Sequence, residues 1–122
     1  MGSTVVRVRL RGPRGELELN ALVDTGFFGD VITTSRVAKA LGIELRYERV
    51  RRLPNGETVR VRFGGAEIEI EGLTTFGDVE VWDNLTLPEG VDALLGVTAL
   101  EKLGLRIDPR SGRLERTELY LL

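Results

Sequence analysis

The sequence predicts an all-β domain carrying two short helices, and three observations carry that prediction. Apolar and charged residues alternate over long runs, as Val6, Val8 and Leu10 do with Arg7, Arg9 and Arg11, which is the period of a half-buried strand. Gly, Pro and Asn interrupt these runs at short intervals. Only two stretches place apolar residues at helical spacing, and both end in Leu-Gly. At 122 residues, 42% hydrophobic and 30% charged, the chain suits one hydrophobic core and not a disordered segment, so residues 1–122 read as a single domain.

The first strand runs from Thr4 to Arg11 and breaks at Gly12-Pro13-Arg14-Gly15. Alternation resumes at Glu16 with Leu17 and Leu19 inward, which makes a hairpin, and continues into Ala21-Leu22-Val23, suited to burial on both faces. Asp24-Thr25-Gly26 ends it. A β-branched run, Val31 to Thr34, leads to a helix capped by Ser35, with Val37, Ala40 and Leu41 inward and Gly42 as terminator. Tyr47 to Phe63 reads as a charged hairpin projecting into solvent, turning at Pro54-Asn55-Gly56, where Asn-Gly signals a tight turn with positive φ. Gly64-Gly65 is expected to interrupt the chain before a strand from Glu67 to Glu71 that Gly72 closes, and another strand follows from Gly77 to Trp82. Val91 to Gly96 leads to a second helix through Ala99, Leu100 and Leu103, ended by Gly104. Leu105 to Asp108, a turn at Pro109 to Gly112 and a last strand from Leu114 to Leu122 complete the chain. The segments Val37 to Ile43 and Ala99 to Leu105 echo one another, which suggests two similar halves.

The chain contains no His and no Cys. A Ser-His-Asp triad, a thiolate nucleophile, a thiolate zinc site and a disulfide framework are therefore excluded, and proton transfer falls to carboxylates, Lys or Tyr. A net charge of -2 supplies no field for nucleic acid or an anionic membrane, so neither is expected as a partner. The basic cluster Arg46, Arg49, Arg51, Arg52 is interleaved with Glu44, Glu48 and Glu57 and reads as a solvated mixed-charge surface. No apolar run has the length of a signal peptide or membrane span, so the expected compartment is the cytoplasm.

Asp24 stands where an apolar strand meets a turn, which half-buries its carboxylate; read alone, it is equally an ordinary turn residue. The second piece is Asp92-Ala93-Leu94-Leu95-Gly96, an apolar pair before Gly and a helix. The order apolar-apolar-Asp-Thr-Gly, hairpin-rich middle, apolar-apolar-Gly and helix ending in Leu-Gly resembles the retropepsin-like (retroviral-type) aspartic proteases, including their single-domain cellular members, over nearly the whole chain.

That resemblance implies a closed acid-protease-type β-barrel that forms a homodimer, each copy giving one catalytic Asp24, and hydrolysis of polypeptide substrates without metal or cofactor. Two facing carboxyls share one proton, one acting as base on a water and the other as acid, and activity is expected on the acidic side. Thr25 would lock the two active-site loops through its hydroxyl, and Gly26 would let backbone approach substrate. Leu94, Leu95 and Gly96 would support the Asp24 loop, and the hairpin at Asn55 and Gly56 takes the place of the flap, with a plain solvent hairpin as the alternative. Phe27 and Phe28 depart from the small residue usual after Asp-Thr-Gly; they either line the substrate cleft or fill core and narrow it. Val97-Thr98 replaces the polar pair that braces the loop in retroviral enzymes, so that charged brace is expected to be missing. The alternative to a homodimeric aspartic endopeptidase is a weak or inactive module of the same fold working in protein binding or assembly. Glu67, Glu69 and Glu71 are expected on a solvated face, and Asp30, Asp78, Asp83 and Asp108 in turns or caps.

Overall fold

The computed structural model describes residues 4–117, which leaves Met1 to Ser3 and the end of the expected last strand outside the described residues. Strands β1 (Val5–Gly12) and β2 (Gly15–Val23) form the first hairpin, followed by β3 (Val31–Thr33) and helix α1 (Ser35–Leu41). Then come β4 (Tyr47–Arg52), β5 (Thr58–Ile70), β6 (Leu73–Trp82), β7 (Ala93–Leu95), helix α2 (Val97–Leu103), β8 (Leu105–Ile107) and β9 (Leu114–Arg116). The main sheet has the order β1-β2-β7-β3-β6-β5-β4, and β1 also pairs with β5. That last pairing closes six strands into a barrel, removing their free edges, and leaves β4 as an outer strand on β5. β8 and β9 form a separate two-stranded sheet.

Alternation fills the barrel as read: Val8, Leu10 and Leu19 are buried, as are Ile68, Ile70, Val79 and Val81 from the facing strands. The two strands expected on either side of Gly64-Gly65 are one, because β5 runs unbroken from Thr58 to Ile70. Gly64 answers a close approach instead: a Cβ there would lie 2.2 Å from the carbonyl oxygen of Glu44, where the chain passes over. β6 likewise begins at Leu73, since Glu71 and Gly72, at φ 51° and 79°, make the two-residue turn that a tight hairpin requires.

Both helices fall where helical spacing put them, with a shifted start in the first. Thr34, in extended conformation, is the cap of α1, its hydroxyl accepting the Val37 N–H at 3.3 Å; Ser35 is already helical. Ala38 is buried in place of Ala40, which is exposed. Gly42 and Gly104 end the helices in the left-handed region, at φ 69° and 70°.

The internal echo extends to the whole barrel. Leu10 of β1 faces Ile68 of β5, and Ile32 of β3 faces Leu94 of β7, both in antiparallel pairs. β2 runs parallel to β7 with Val23 beside Leu95, and β6 runs parallel to β3 with Val81 beside Thr33. A twofold through the Leu10/Ile68 and Ile32/Leu94 pairs therefore exchanges β1-β2-β3-α1 with β5-β6-β7-α2.

Candidate active site

β2 delivers Asp24 to the mouth of the barrel. Its backbone N–H donates to the Leu95 carbonyl at 2.9 Å, which extends the parallel pairing with β7 by one residue. Its carbonyl accepts the Phe27 N–H at 3.1 Å, closing a turn, and its Oδ1 accepts the Gly26 N–H at 2.9 Å. The carboxylate is thus oriented by its own loop, half-buried, with Thr25 and Gly26 exposed beside it. It opens onto a cleft of about 580 Å³ in which it is the only carboxylate among the lining residues.

The loop rests on the β7–α2 junction. Gly96 donates its N–H to the Asp30 carbonyl at 2.8 Å, and Val97 donates to the Phe27 carbonyl at 3.0 Å. A Cβ on Gly96 would lie 2.1 Å from the Gly29 oxygen, so the two backbones meet where no side chain fits. Phe27 and Phe28 separate: Phe27 turns inward, 8% exposed, while Phe28 stands 79% exposed on the cleft wall.

Asp30, which the sequence assigned to a turn or cap, is buried, and so is Glu80 of β6. Asp30 accepts the Asp78 N–H at 2.8 Å and Lys102 Nζ at 2.9 Å through Oδ2. Val97-Thr98 carries no charge, as expected, and a different charged pair ties α2 to this region, with Lys102 reaching back to Asp30. Glu80, 3% exposed, receives Arg51 Nε at 2.8 Å on Oε1 and an Arg51 terminal nitrogen at 2.7 Å on Oε2, a bidentate pair, with Trp82 Nε1 at 3.2 Å on Oε1. The Arg51 guanidinium also lies 5.7 Å from the Phe27 ring centre. The Arg cluster is therefore not simply a solvated surface: Arg51, close to the turn of the β4–β5 hairpin, ties that hairpin to Glu80 of the barrel.

The hairpin turns through three residues, Pro54-Asn55-Gly56. Leu53 donates to the Glu57 carbonyl at 2.7 Å, Gly56 to the Leu53 carbonyl at 2.9 Å, and Asn55 Oδ1 accepts the Glu57 N–H at 2.9 Å. Only Gly56 has positive φ, 88°, so this is a wider turn than the Asn-Gly pair implied. Leu53 and Pro54 line the Asp24 cleft, while Asn55 and Gly56 stand at the tip outside that lining. No group of three or more acidic side chains among the described residues is placed to hold a metal ion, and no described helix is long and apolar enough to cross a membrane.

Residues 6–99 match the family model described as aspartyl protease. No curated protein matches the chain. Among solved structures, the retroviral protease-like domain of Ddi1 from Leishmania major aligns with TM-score 0.58 and 17% identity, covering 95% of this chain and 90% of that one. EIAV protease complexed with the inhibitor HBY-793 aligns with TM-score 0.57 and 20% identity over 98% of this chain and 94% of its own. A retropepsin-like aspartic protease from Rickettsia conorii aligns with TM-score 0.53 and 20% identity, over 88% and 85% respectively. With Asp24 held at the end of a barrel strand beneath a hairpin, and the family model spanning most of the barrel, the chain belongs to the retropepsin-like aspartyl protease family.

Proposed function

We propose that the protein is a homodimeric aspartic endopeptidase in which Asp24 from each of two copies forms the catalytic dyad. The observation that carries this reading is a half-buried Asp24, oriented by Gly26 and opening onto a hairpin-covered cleft lined by no other carboxylate among the described residues. One copy then has half of the acid–base machinery. Across a twofold axis the two carboxyls share a proton: the ionised one takes a proton from water, the water attacks the peptide carbonyl, and the protonated one donates toward the developing oxyanion. Thr25 and Gly26, exposed in the single chain, are available to meet the opposite loop and the substrate backbone. Phe28 offers an apolar wall to substrate, and the hairpin tipped by Asn55 and Gly56 acts as the flap that excludes water. The exposure of Phe28 also favours a second reading, a binding or assembly module of the same fold, which holds a peptide without cutting it.

Cleavage of an unfolded protein substrate across acidic pH separates the two. Asp24→Asn is expected to lower the rate by about a thousandfold or more while the chain stays folded and dimeric by sedimentation. Full activity in that variant removes Asp24 from the mechanism, and absence of cleavage by the unaltered chain favours the binding module.

A further inference from the structure

Arg51 is both a wall of the Asp24 cleft and half of an ion pair with the buried Glu80. A guanidinium carries five N–H donors in one plane. Glu80 takes two of them along one edge, from Nε at 2.8 Å and Nη2 at 2.7 Å, and the rest, on Nη1 and the far side of Nη2, have no acceptor among the described residues. The group is not at liberty to turn and spread them otherwise: Glu80 is itself fixed by Trp82 Nε1 at 3.2 Å, and the Phe27 ring centre lies 5.7 Å from the guanidinium carbon. Yet 28% of the Arg51 side chain stays accessible, on a residue that lines the cleft. A donor edge held in place before its ligand arrives loses little freedom on binding. Because Glu80 already balances the positive charge, that edge suits a neutral acceptor, and the acceptor that an extended polypeptide offers at every residue is its main-chain carbonyl. Apolar neighbours, among them Leu53 and Leu94, limit the water that competes for it.

From this placement we infer that Arg51 is a substrate-binding residue: its free guanidinium edge donates to one main-chain carbonyl of a polypeptide in the cleft, and so sets where that chain lies relative to Asp24. The inference rests on the protease reading for its assumption that an extended polypeptide occupies the cleft. Arg51 then fixes the placement of the substrate without choosing among its side chains, and Glu80 is the positioning residue that holds the donor edge.

The test measures binding apart from turnover, with the full-length Asp24→Asn chain and an end-capped, uncharged fluorescent peptide read by anisotropy. In a set of otherwise identical peptides each peptide bond in turn is replaced by an (E)-alkene, which keeps the extended shape and removes the carbonyl. At one position the replacement is expected to weaken binding about tenfold more in the chain that retains Arg51 than in the chain that also carries Arg51→Lys, which keeps a positive charge opposite Glu80 but lacks the second planar edge. The alkene also removes an N–H, but that loss is common to both chains and cancels in the comparison. Arg51→Met with Glu80→Gln, which removes the buried pair as a unit, is expected to abolish the same position dependence, so the result does not hang on the folding of one variant; urea midpoints show that each is folded under the assay conditions. Equal losses with and without Arg51 at every position overturn the inference, as does failure of every peptide to bind. So does a Glu-for-Gln exchange in the peptide that strengthens binding only when Arg51 is present, which marks a receptor for acidic side chains. Hydrolysis of the unmodified peptide by the unaltered chain is followed separately. Cleavage alongside equal losses removes Arg51 from substrate binding and leaves the protease reading, and Arg51-dependent binding without cleavage does the reverse.

Discussion

Glu80 is held beneath the β4–β5 hairpin by two charge-assisted hydrogen bonds from Arg51 and one from Trp82, and with 3% exposure it has no access to water in place of them. Removing Arg51 therefore leaves a buried charge unpaired, which costs more than the pair itself contributes. Arg51→Met is expected to lower stability by about 3–5 kcal/mol, and adding Glu80→Gln is expected to recover a large part of that loss, because the amide needs no counter-charge and still accepts from Trp82. Urea midpoints of the two single variants and the double test this; a double variant as unstable as the sum of the singles refutes the coupling. Glu80 was not legible as a site residue, because alternation with Val79 and Val81 tells which face of β6 it is on but not that β4 folds over that face. Asp30 escaped for a related reason: its partners, Lys102 and the Asp78 backbone, lie far along the chain. Asp24, by contrast, was legible because the strand before it and the Gly after it are local.

Elements read from the period of their apolar residues were recovered, and those whose ends depend on what crosses them were not. Gly64-Gly65 has the composition of a break, yet β5 passes straight through, since Gly64 makes room for the chain at Glu44. The Glu-rich arm of β5 and the Arg-rich arm of β1 were both legible as polar faces. Their pairing across the barrel seam was not: Arg11 contacts Glu67 at 3.0 Å and Glu69 at 2.6 Å, and Arg9 reaches Glu69 at 3.7 Å. The hydrogen bond from Arg11, then its charge and that of Arg9, hold the Glu69 carboxyl below the ordinary glutamate range. A carboxyl depressed in the folded state adds stability above its unfolded pKa and loses it as pH falls through the folded one. Arg11→Met is accordingly expected to be less stable than the unaltered chain at neutral pH, with the gap between their urea midpoints closing as pH drops below about 4. A gap that stays constant through that range assigns the effect to the aliphatic stem of Arg11 and not to the seam's charges.

The barrel's internal twofold bears on whether one copy of the chain holds both carboxyls of a proton-sharing pair. It matches Val23 of β2, beside Leu95, with Val81 of β6, beside Thr33, so the residue that follows in each half is Asp24 in the first and Trp82 in the second. The sequence showed the echo only in the two Leu-Gly helix ends, since the strand pairs that define the axis are long-range. Where the duplication places a residue equivalent to Asp24 there is an indole, whose Nε1 is already engaged by Glu80, and no second carboxylate lines the cleft among the described residues. If hydrolysis needs two carboxyls sharing a proton, the second has to come from another molecule. Specific activity is then expected to fall on dilution as dimers dissociate. Titrating a fixed amount of active chain with excess Asp24→Asn chain is expected to remove most of the activity, because mixed dimers carry one carboxyl in place of two. A single copy that supplied its own general acid would keep a constant specific activity on dilution and ignore the added variant, and that result would overturn the two-copy mechanism while leaving the fold assignment untouched.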